Sequence, residues 1–272
     1  MAEERRVSNS VHLAATGIGA AYGAAPVLHD VDVTIPRGRV TTIIGPNGCG
    51  KSTLLRVLAR LLTPTSGTVL LDEKPITDLR ARELATRLAM LPQNPVAPEG
   101  MTVADLAARG RAPHQPWYRQ WSPDDDAIAA DAMAATGVLD LADRPLDELS
   151  GGQRQRAWIA LSLAQQTDVL LLDEPTTHLD LAHAVEVLEL VTRLRDQTGR
   201  TFVLVLHDLS LAARYSDQLV VLRGGRVHTT GAPADVVTPE LLRDVFGLAA
   251  HVFPDPVDGL PTVVPARATA AP

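Results

Sequence analysis

Residues 45 to 52 read Gly45-Pro46-Asn47-Gly48-Cys49-Gly50-Lys51-Ser52. The run before them, Val40-Thr41-Thr42-Ile43-Ile44, is apolar and β-branched and predicts a buried strand. The run after them, Thr53 to Leu62, predicts a helix. A Gly-x-x-x-x-Gly-Lys-Ser loop between strand and helix is a phosphate-binding turn. Its glycines let backbone N–H groups face inward around phosphate oxygens, and the helix N-terminus adds partial positive charge. Lys51 then brings a full charge to the β- and γ-phosphates, and the Ser52 hydroxyl is placed to bind magnesium. Lys51 and Lys74 are the only lysines in a chain whose other cations are arginines. A compact ammonium reaches between phosphates where a planar guanidinium would clash.

The 272 residues and 46% hydrophobic content suffice for one large α/β domain or a core with a subdomain. A net charge of -7 with no run of Lys or Arg predicts no nucleic-acid partner. No apolar stretch approaches the length of a bilayer span, and the polar Met1 to Arg6 opening is not a secretory signal. Cys49 is the only cysteine, which excludes an intramolecular disulfide and fits a reducing, cytoplasmic compartment. Cys49 is read as a small residue; its place at a helix start also predicts a reactive thiol whose alkylation blocks nucleotide binding.

Along the chain, His12–Tyr22 and Val27–Ile35 read as strands around a Gly/Ala/Pro turn, and Gly67–Asp72 as another. Connections this short predict antiparallel pairing. From Pro92 to Pro145 prolines, alanines and acids replace β-branched runs, which predicts a helical insertion. Within it Val103–Arg109 and Asp124–Thr136 read as helices, the second with an acidic first turn behind Ser122-Pro123. Val169–Leu172 reads as a buried strand of the parallel kind. Leu181–Asp196 carries two apolar stripes of a buried helix, 181, 184, 185, 188, 191 and 187, 190, 194. Thr201–Leu206 is a further buried strand, and Gln218–Arg223 with Val227–Thr230 is a hairpin over Gly224-Gly225. The alternation predicts a doubly wound, largely parallel sheet.

Asp173-Glu174 closes the Val169–Leu172 strand. A carboxylate there is a magnesium anchor, and a second beside it can orient and polarise an attacking water. Leu149-Ser150-Gly151-Gly152-Gln153 sets a hydroxyl and two glycines before another helix, a second anion-binding terminus. By itself that stretch reads equally as a linker or an N-cap. His178 and His183 invite a metal reading, but no third ligand joins them.

Taken together, these residues resemble the ATP-binding subunits of ABC transporters, over roughly residues 11–255. Gly45–Ser52 resembles Walker A, Val169–Glu174 Walker B and Leu149–Gln153 the family signature. Gln93 matches the Q-loop, His178-Leu179-Asp180 the D-loop and His207 the switch histidine. The resemblance implies an α/β P-loop NTPase (RecA-like) core, an N-terminal antiparallel β subdomain and an inserted α-helical subdomain at about 94–155. Residues 1–10 are then a disordered N-terminus and 256–272 a C-terminal tail. It implies ATP and Mg2+. Gly45, Pro46, Asn47, Gly48, Cys49, Gly50, Lys51, Ser52 and Thr53 hold the phosphates, and Ser52, Gln93 and Asp173 arrange magnesium. Glu174 activates water and His207 contacts the γ-phosphate; with Gln93 they are the implied catalytic residues. Ser150, Gly151, Gly152 and Gln153 complete the site of a second copy, and Asp180 pairs at the dimer interface. Tyr22 stacks on adenine, unless it is an ordinary core tyrosine.

The implied partners are transmembrane permease subunits and a second ATP-binding subunit, identical in a homodimer. The implied place is the cytoplasmic face of the membrane, peripherally. The segment Ala108–Trp117, with Leu149–Ile159, Leu206–Leu209 and Val263–Pro265, is similar to the ferric-siderophore importer branch, the ferric enterobactin type most of all. That branch implies an indirect partner, a siderophore-binding protein. Trp117, Tyr118 and Trp121 crowd beside Arg109, Arg111 and Arg119. They read either as a packing lid or as a contact surface for the permease. The motifs leave other cargoes open, among them cobalamin, haem and other metal chelates, and an exporter. A soluble ABC-type ATPase acting on DNA or the ribosome fits less well, for want of a coiled-coil insertion or a second cassette.

Overall fold

The computed structural model describes residues 11–115 and 122–267. The expected disordered N-terminus and the segment Trp117, Tyr118, Arg119 and Trp121 lie outside the described residues. The chain divides into two compact units, Met1–Glu73 with Leu204–Pro272, and Lys74–Val203.

In the first unit, β1 (Val11–Tyr22) turns through Gly23 into β2 (Ala25–Pro36). β3 (Val40–Ile44) follows, then α1 (Lys51–Leu58) and β4 (Ser66–Leu71). β1 pairs antiparallel with β2 (Leu13 with Ile35), as their short connection predicted, and also with β4 (Leu13 with Leu71). Alternation buries Val31, Val33 and Ile35 on one face of β2, and the register shifts between Val31 and the buried Leu28. Helix α1 stops four residues before the predicted Leu62. Arg60 adopts φ 57°, and the amides of Leu61 and Leu62 both turn back to the Arg56 carbonyl. Leu61 is left 68% exposed, so no packing draws the helix onward.

The second unit opens with the two-residue β5 (Lys74–Pro75), α2 (Ala81–Ala85) and β6 (Leu88–Leu91). Then come α3 (Val103–Arg109), α4 (Pro123–Ala135), α5 (Gly151–Ala164), β7 (Val169–Asp173) and α6 (Leu181–Thr198). β6 and β7 run parallel, Leu88 beside Val169 and Leu91 beside Leu172. Every residue of β7 is buried, which is why its sequence does not alternate.

Helices α3, α4 and α5 pack on one another. Their buried polar pin is Arg111, 5% exposed. Its Nε donates to Asp125 Oδ1 at 2.9 Å, and its Nη1 donates to Ala164 O and Gln166 Oε1, each at 2.8 Å. α6 buries Ala184, Val187, Leu188, Leu190, Val191 and Leu194. Each buried Val or Leu there contributes roughly 1.5–3 kcal/mol. Leu181, placed on the first predicted stripe, is instead 68% exposed at the helix start.

β8 (Thr201–Val205) carries the chain across the division, and α7 (Leu209–Tyr215), β9 (Gln218–Arg223) and β10 (Arg226–Gly231) follow. In the first unit β3 pairs parallel with β9, Ile43 beside Val220, and β10 returns antiparallel over the predicted Gly224-Gly225 turn. Two short helices, α8 (Pro233–Val236) and α9 (Pro239–Phe246), precede β11 (Ala250–Pro254) and β12 (Pro261–Pro265).

The tail expected from 256 is therefore corrected in part. Pro261–Pro265 pairs antiparallel with β11, and β12 packs on α7. Arg214 of α7 reaches Asp258 at 2.9 Å and Asp255 at 3.4 Å, which fastens the hairpin.

Candidate functional site

Three glycines of the loop between β3 and α1, Gly45, Gly48 and Gly50, stand at positive φ, and two of them are also held by close contacts. Gly45 stands at φ 153°, and a Cβ there would lie 2.2 Å from the Leu222 carbonyl oxygen. Gly50 stands at φ 104°, where a Cβ would lie 2.7 Å from Leu28 Cδ2. Gly50 is also the N-cap of α1, so it brings no capping side chain, and the first turn of α1 holds no acid. The positive end of that helix is not neutralised by its own residues. Lys51 is buried, and its Nζ donates to the carbonyls of Gly45 at 2.9 Å and Pro46 at 3.0 Å. The ammonium thus sits against the loop rather than extending into solvent.

Gly225 does a second job beyond its turn. Its amide donates to the Cys49 carbonyl at 3.1 Å, and its own carbonyl accepts from His29 at 2.8 Å. The β9–β10 turn thereby braces the phosphate loop, a contact invisible in the sequence. Cys49 itself is 5% exposed. Burial pushes its thiol pKa up, outweighing the charge of Lys51, which pulls it down. The expectation of a reactive Cys49 is corrected: desolvation disfavours the thiolate.

Tyr22 is 45% exposed, so it is not a core residue. Its hydroxyl accepts from Arg56 Nη1 of α1 at 3.2 Å, which ties the ring to the phosphate-loop helix. His207 is exposed just beyond β8, after Leu206, whose amide donates to the Ile43 carbonyl at 3.4 Å. Asp208 caps α7 by accepting from the Leu211 amide at 2.8 Å, which fixes the chain immediately after the histidine.

In the Lys74–Val203 unit, Asp173 is buried at the end of β7. Glu174 follows at φ 51°, a left-handed conformation that costs a non-glycine residue about 1–3 kcal/mol. The bend brings its carboxylate under two donors. Gln93 Nε2 donates to Glu174 Oε2 at 2.5 Å, and Thr177 Oγ1 donates to the same oxygen at 3.0 Å. Thr177 was not singled out in the sequence, although it stands one turn beyond the glutamate.

Ser150 is the exposed N-cap of α5, with a reciprocal capping box to Gln153. The Gln153 amide donates to Ser150 Oγ at 3.3 Å, and the Ser150 amide donates to Gln153 Oε1 at 3.1 Å. The N-cap reading of this stretch is therefore the one observed. Asp180 caps α6, accepting from the His183 amide at 2.9 Å, with His183 Nδ1 at 2.7 Å from the same oxygen. The hydrogen bonds from the His183 backbone, then its ring, hold the Asp180 pKa below the ordinary carboxylate value.

A sequence profile described as ABC transporter matches residues 28–177, more than half of the chain. The chain belongs to the ABC transporter family. This ABC ATPase is 50% identical over 249 residues to the ferric enterobactin transport ATP-binding protein FepC of Escherichia coli (strain K12), covering 92% of each chain. It is 49% identical over 244 residues to the petrobactin import ATP-binding protein FpuD of Bacillus anthracis, covering 90% of this chain and 89% of that one. An inward-facing ABC transporter of the metal-chelate type superimposes with a TM-score of 0.83 and 26% identity, covering 95% of this chain and 99% of that chain. The P-loop NTPase fold, ATP as nucleotide and ATP hydrolysis are thereby properties of this ABC ATPase. Among the described residues no helix is long and apolar enough to cross a membrane.

Proposed function

We propose that this ABC ATPase powers import of an iron–siderophore complex through partner permeases, working as a peripheral subunit at the cytoplasmic face of the membrane. The 50% identity to the ferric enterobactin transport ATP-binding protein, across 92% of both chains, carries the reading. The siderophore itself meets a separate binding protein and the permease, not this chain.

Lys51 and the backbone amides of the Gly45–Thr53 loop, Pro46 excepted because it has no N–H, hold the β- and γ-phosphates, and Tyr22 stacks on adenine. The hydroxyl of Ser52, the carboxylate of Asp173 and the amide oxygen of Gln93 form an all-oxygen donor set, which suits magnesium. Bound there, magnesium would neutralise charge on the phosphate oxygens. Glu174 orients and polarises the attacking water, held in place by Gln93 and Thr177. His207 contacts the γ-phosphate.

Two copies pack head to tail, so that Ser150, Gly151, Gly152 and Gln153 of one meet the triphosphate bound by the other. Exposure of Ser150 at a helix N-terminus supports that arrangement. Asp180 stands at the same interface. Catalysis is then positioning and electrostatic stabilisation rather than covalent chemistry. Closure on ATP and release after hydrolysis pass to the permease through the Gln93 region and the helical insertion.

The test is uptake of radioiron-loaded siderophore by an iron-starved strain lacking the gene. Uptake should fall to background, return with the wild-type gene and stay absent with Glu174→Gln. Undiminished siderophore uptake would reject the cargo, and loss of haem or cobalamin uptake in its place would reassign it.

A further inference from the structure

Gly152 is buried in the first turn of α5, and its φ is not positive. Its backbone is one that any L-residue adopts, so conformation does not require glycine there. Space does. A Cβ on Gly152 would meet the His183 side chain at 2.7 Å (Cδ2), 3.1 Å (Cγ) and 3.3 Å (Cβ). That ring is not a loose side-chain end. Asp180, the N-cap of α6, holds both the backbone amide and Nδ1 of His183. Neighbouring contacts run in the same direction. A Cβ on Gly151 would meet Leu179 Cδ2 at 3.3 Å, and Arg156 Nη1 reaches Glu186 Oε2 at 2.7 Å. The start of α5 and the chain from Leu179 to Glu186 therefore meet at three successive levels, with the histidine ring in the middle one.

We propose that His183 is a positioning residue for the Ser150–Gly152 turn. Asp180 fixes the ring, the ring fixes the closest approach of Gly152, and the turn is thereby aimed as one body with the D-loop of its own chain. The proposal rests on the reading that this turn meets the triphosphate of a second copy. It also gives Asp180 an intrachain task beside its place at the dimer interface.

The experiment uses the full chain in a Glu174→Gln background, with ATP and magnesium. It reads the ATP concentration that gives half-maximal dimer by light scattering. Binding of a fluorescent ATP analogue to the dilute monomer and the melting temperature are recorded alongside. Gly152→Ala drives a methyl group into the ring, and His183→Ala removes the ring. Misaiming a positioned contact by an ångström costs up to about a hundredfold, so Gly152→Ala should raise the half-maximal concentration by roughly tenfold or more. His183→Ala should raise it severalfold. Because the two residues touch, their effects should not add: the double variant should return to the level of His183→Ala. For His183→Ala, monomer binding and melting temperature should stay at parental values, which a merely structural role would not allow; Gly152→Ala, overpacked against the ring, should melt lower. His183→Asn keeps a donor near the position of Nδ1 and should recover at least half of the His183→Ala loss, so the test holds even if Gly152→Ala folds poorly.

A double variant as weak as Gly152→Ala, or His183→Ala indistinguishable from the parent, overturns the proposal. Ser150→Arg separates the two levels. Normal dimerisation by Ser150→Arg removes the reading of the turn itself. Blocked dimerisation by Ser150→Arg, with no response at His183, removes only the positioning role.

Discussion

Gln93 and Glu174 share a hydrogen bond of 2.5 Å, from the Gln93 amide nitrogen to Glu174 Oε2. A glutamate at φ 51° behind a fully buried strand would otherwise point by its backbone alone; the amide and the Thr177 hydroxyl aim it. The residue assigned to water activation and the residue assigned to the Q-loop are thus one mechanical pair, within one unit of the fold.

Glu174→Gln should therefore keep ATP binding and lose turnover by about a hundredfold or more, the scale of a missing general base. Phosphate release under single-turnover conditions checks the loss, and retained nucleotide on a gel-filtered sample checks binding. Hydrolysis near the normal rate would remove Glu174 from the role. Gln93→Ala should lower turnover less and leave the melting temperature unchanged, because the pair is exposed.

Lys51 donates to two loop carbonyls as well as carrying its charge. Lys51→Ala should weaken ATP binding by roughly tenfold to a hundredfold, the worth of charge-assisted hydrogen bonds. Lys51→Arg should fail to restore it, since a planar fork does not fit a site shaped around an ammonium. Isothermal titration of both variants makes the comparison.

Burial keeps Cys49 protonated through the neutral range. The sign is that of an acid whose neutral form is favoured. Native protein should label with iodoacetamide more slowly than free cysteine at pH 8. The rate should climb only above the ordinary thiol value of 9.0. Denatured protein should label at the free rate. Rapid native labelling at pH 7 would contradict the buried setting.

Arg111→Ala leaves Asp125, Ala164 O and Gln166 Oε1 without their shared donor. Breaking a buried pair from one side costs roughly 3–5 kcal/mol, so thermal melts should show a large loss. The Arg111 guanidinium, followed by Gln115 and Ser122, holds the Asp125 pKa below its ordinary 3.8. Its stabilisation is fully present above 3.8 and is lost as pH falls through the lower folded value. Wild type should lose stability in that acid window more steeply than Asp125→Asn.

The features legible in the sequence were those with local causes. The glycines at 45 and 50 announce a backbone that side chains cannot adopt, and Val169–Leu172 announces burial on both faces. Thr102 and Asp105 form a capping box at the start of α3, and that helix occupies the predicted Val103–Arg109. What the sequence hid depends on contacts between distant residues. Pro254, Pro261 and Pro265 argue against strands, yet β11 and β12 pair with each other and are fastened by Arg214. Gly152 reads as a phosphate glycine until the His183 ring is found against it. Cys49 sits at a helix start as expected, but its burial decides its chemistry.

The most direct measurement is a structure of the Glu174→Gln protein with ATP and magnesium. The Ser150 hydroxyl of one copy should lie within hydrogen-bonding distance of the γ-phosphate cradled by the Lys51 loop of the other. Nucleotide bound at Lys51 with Ser150 turned to solvent in every copy would contradict the account.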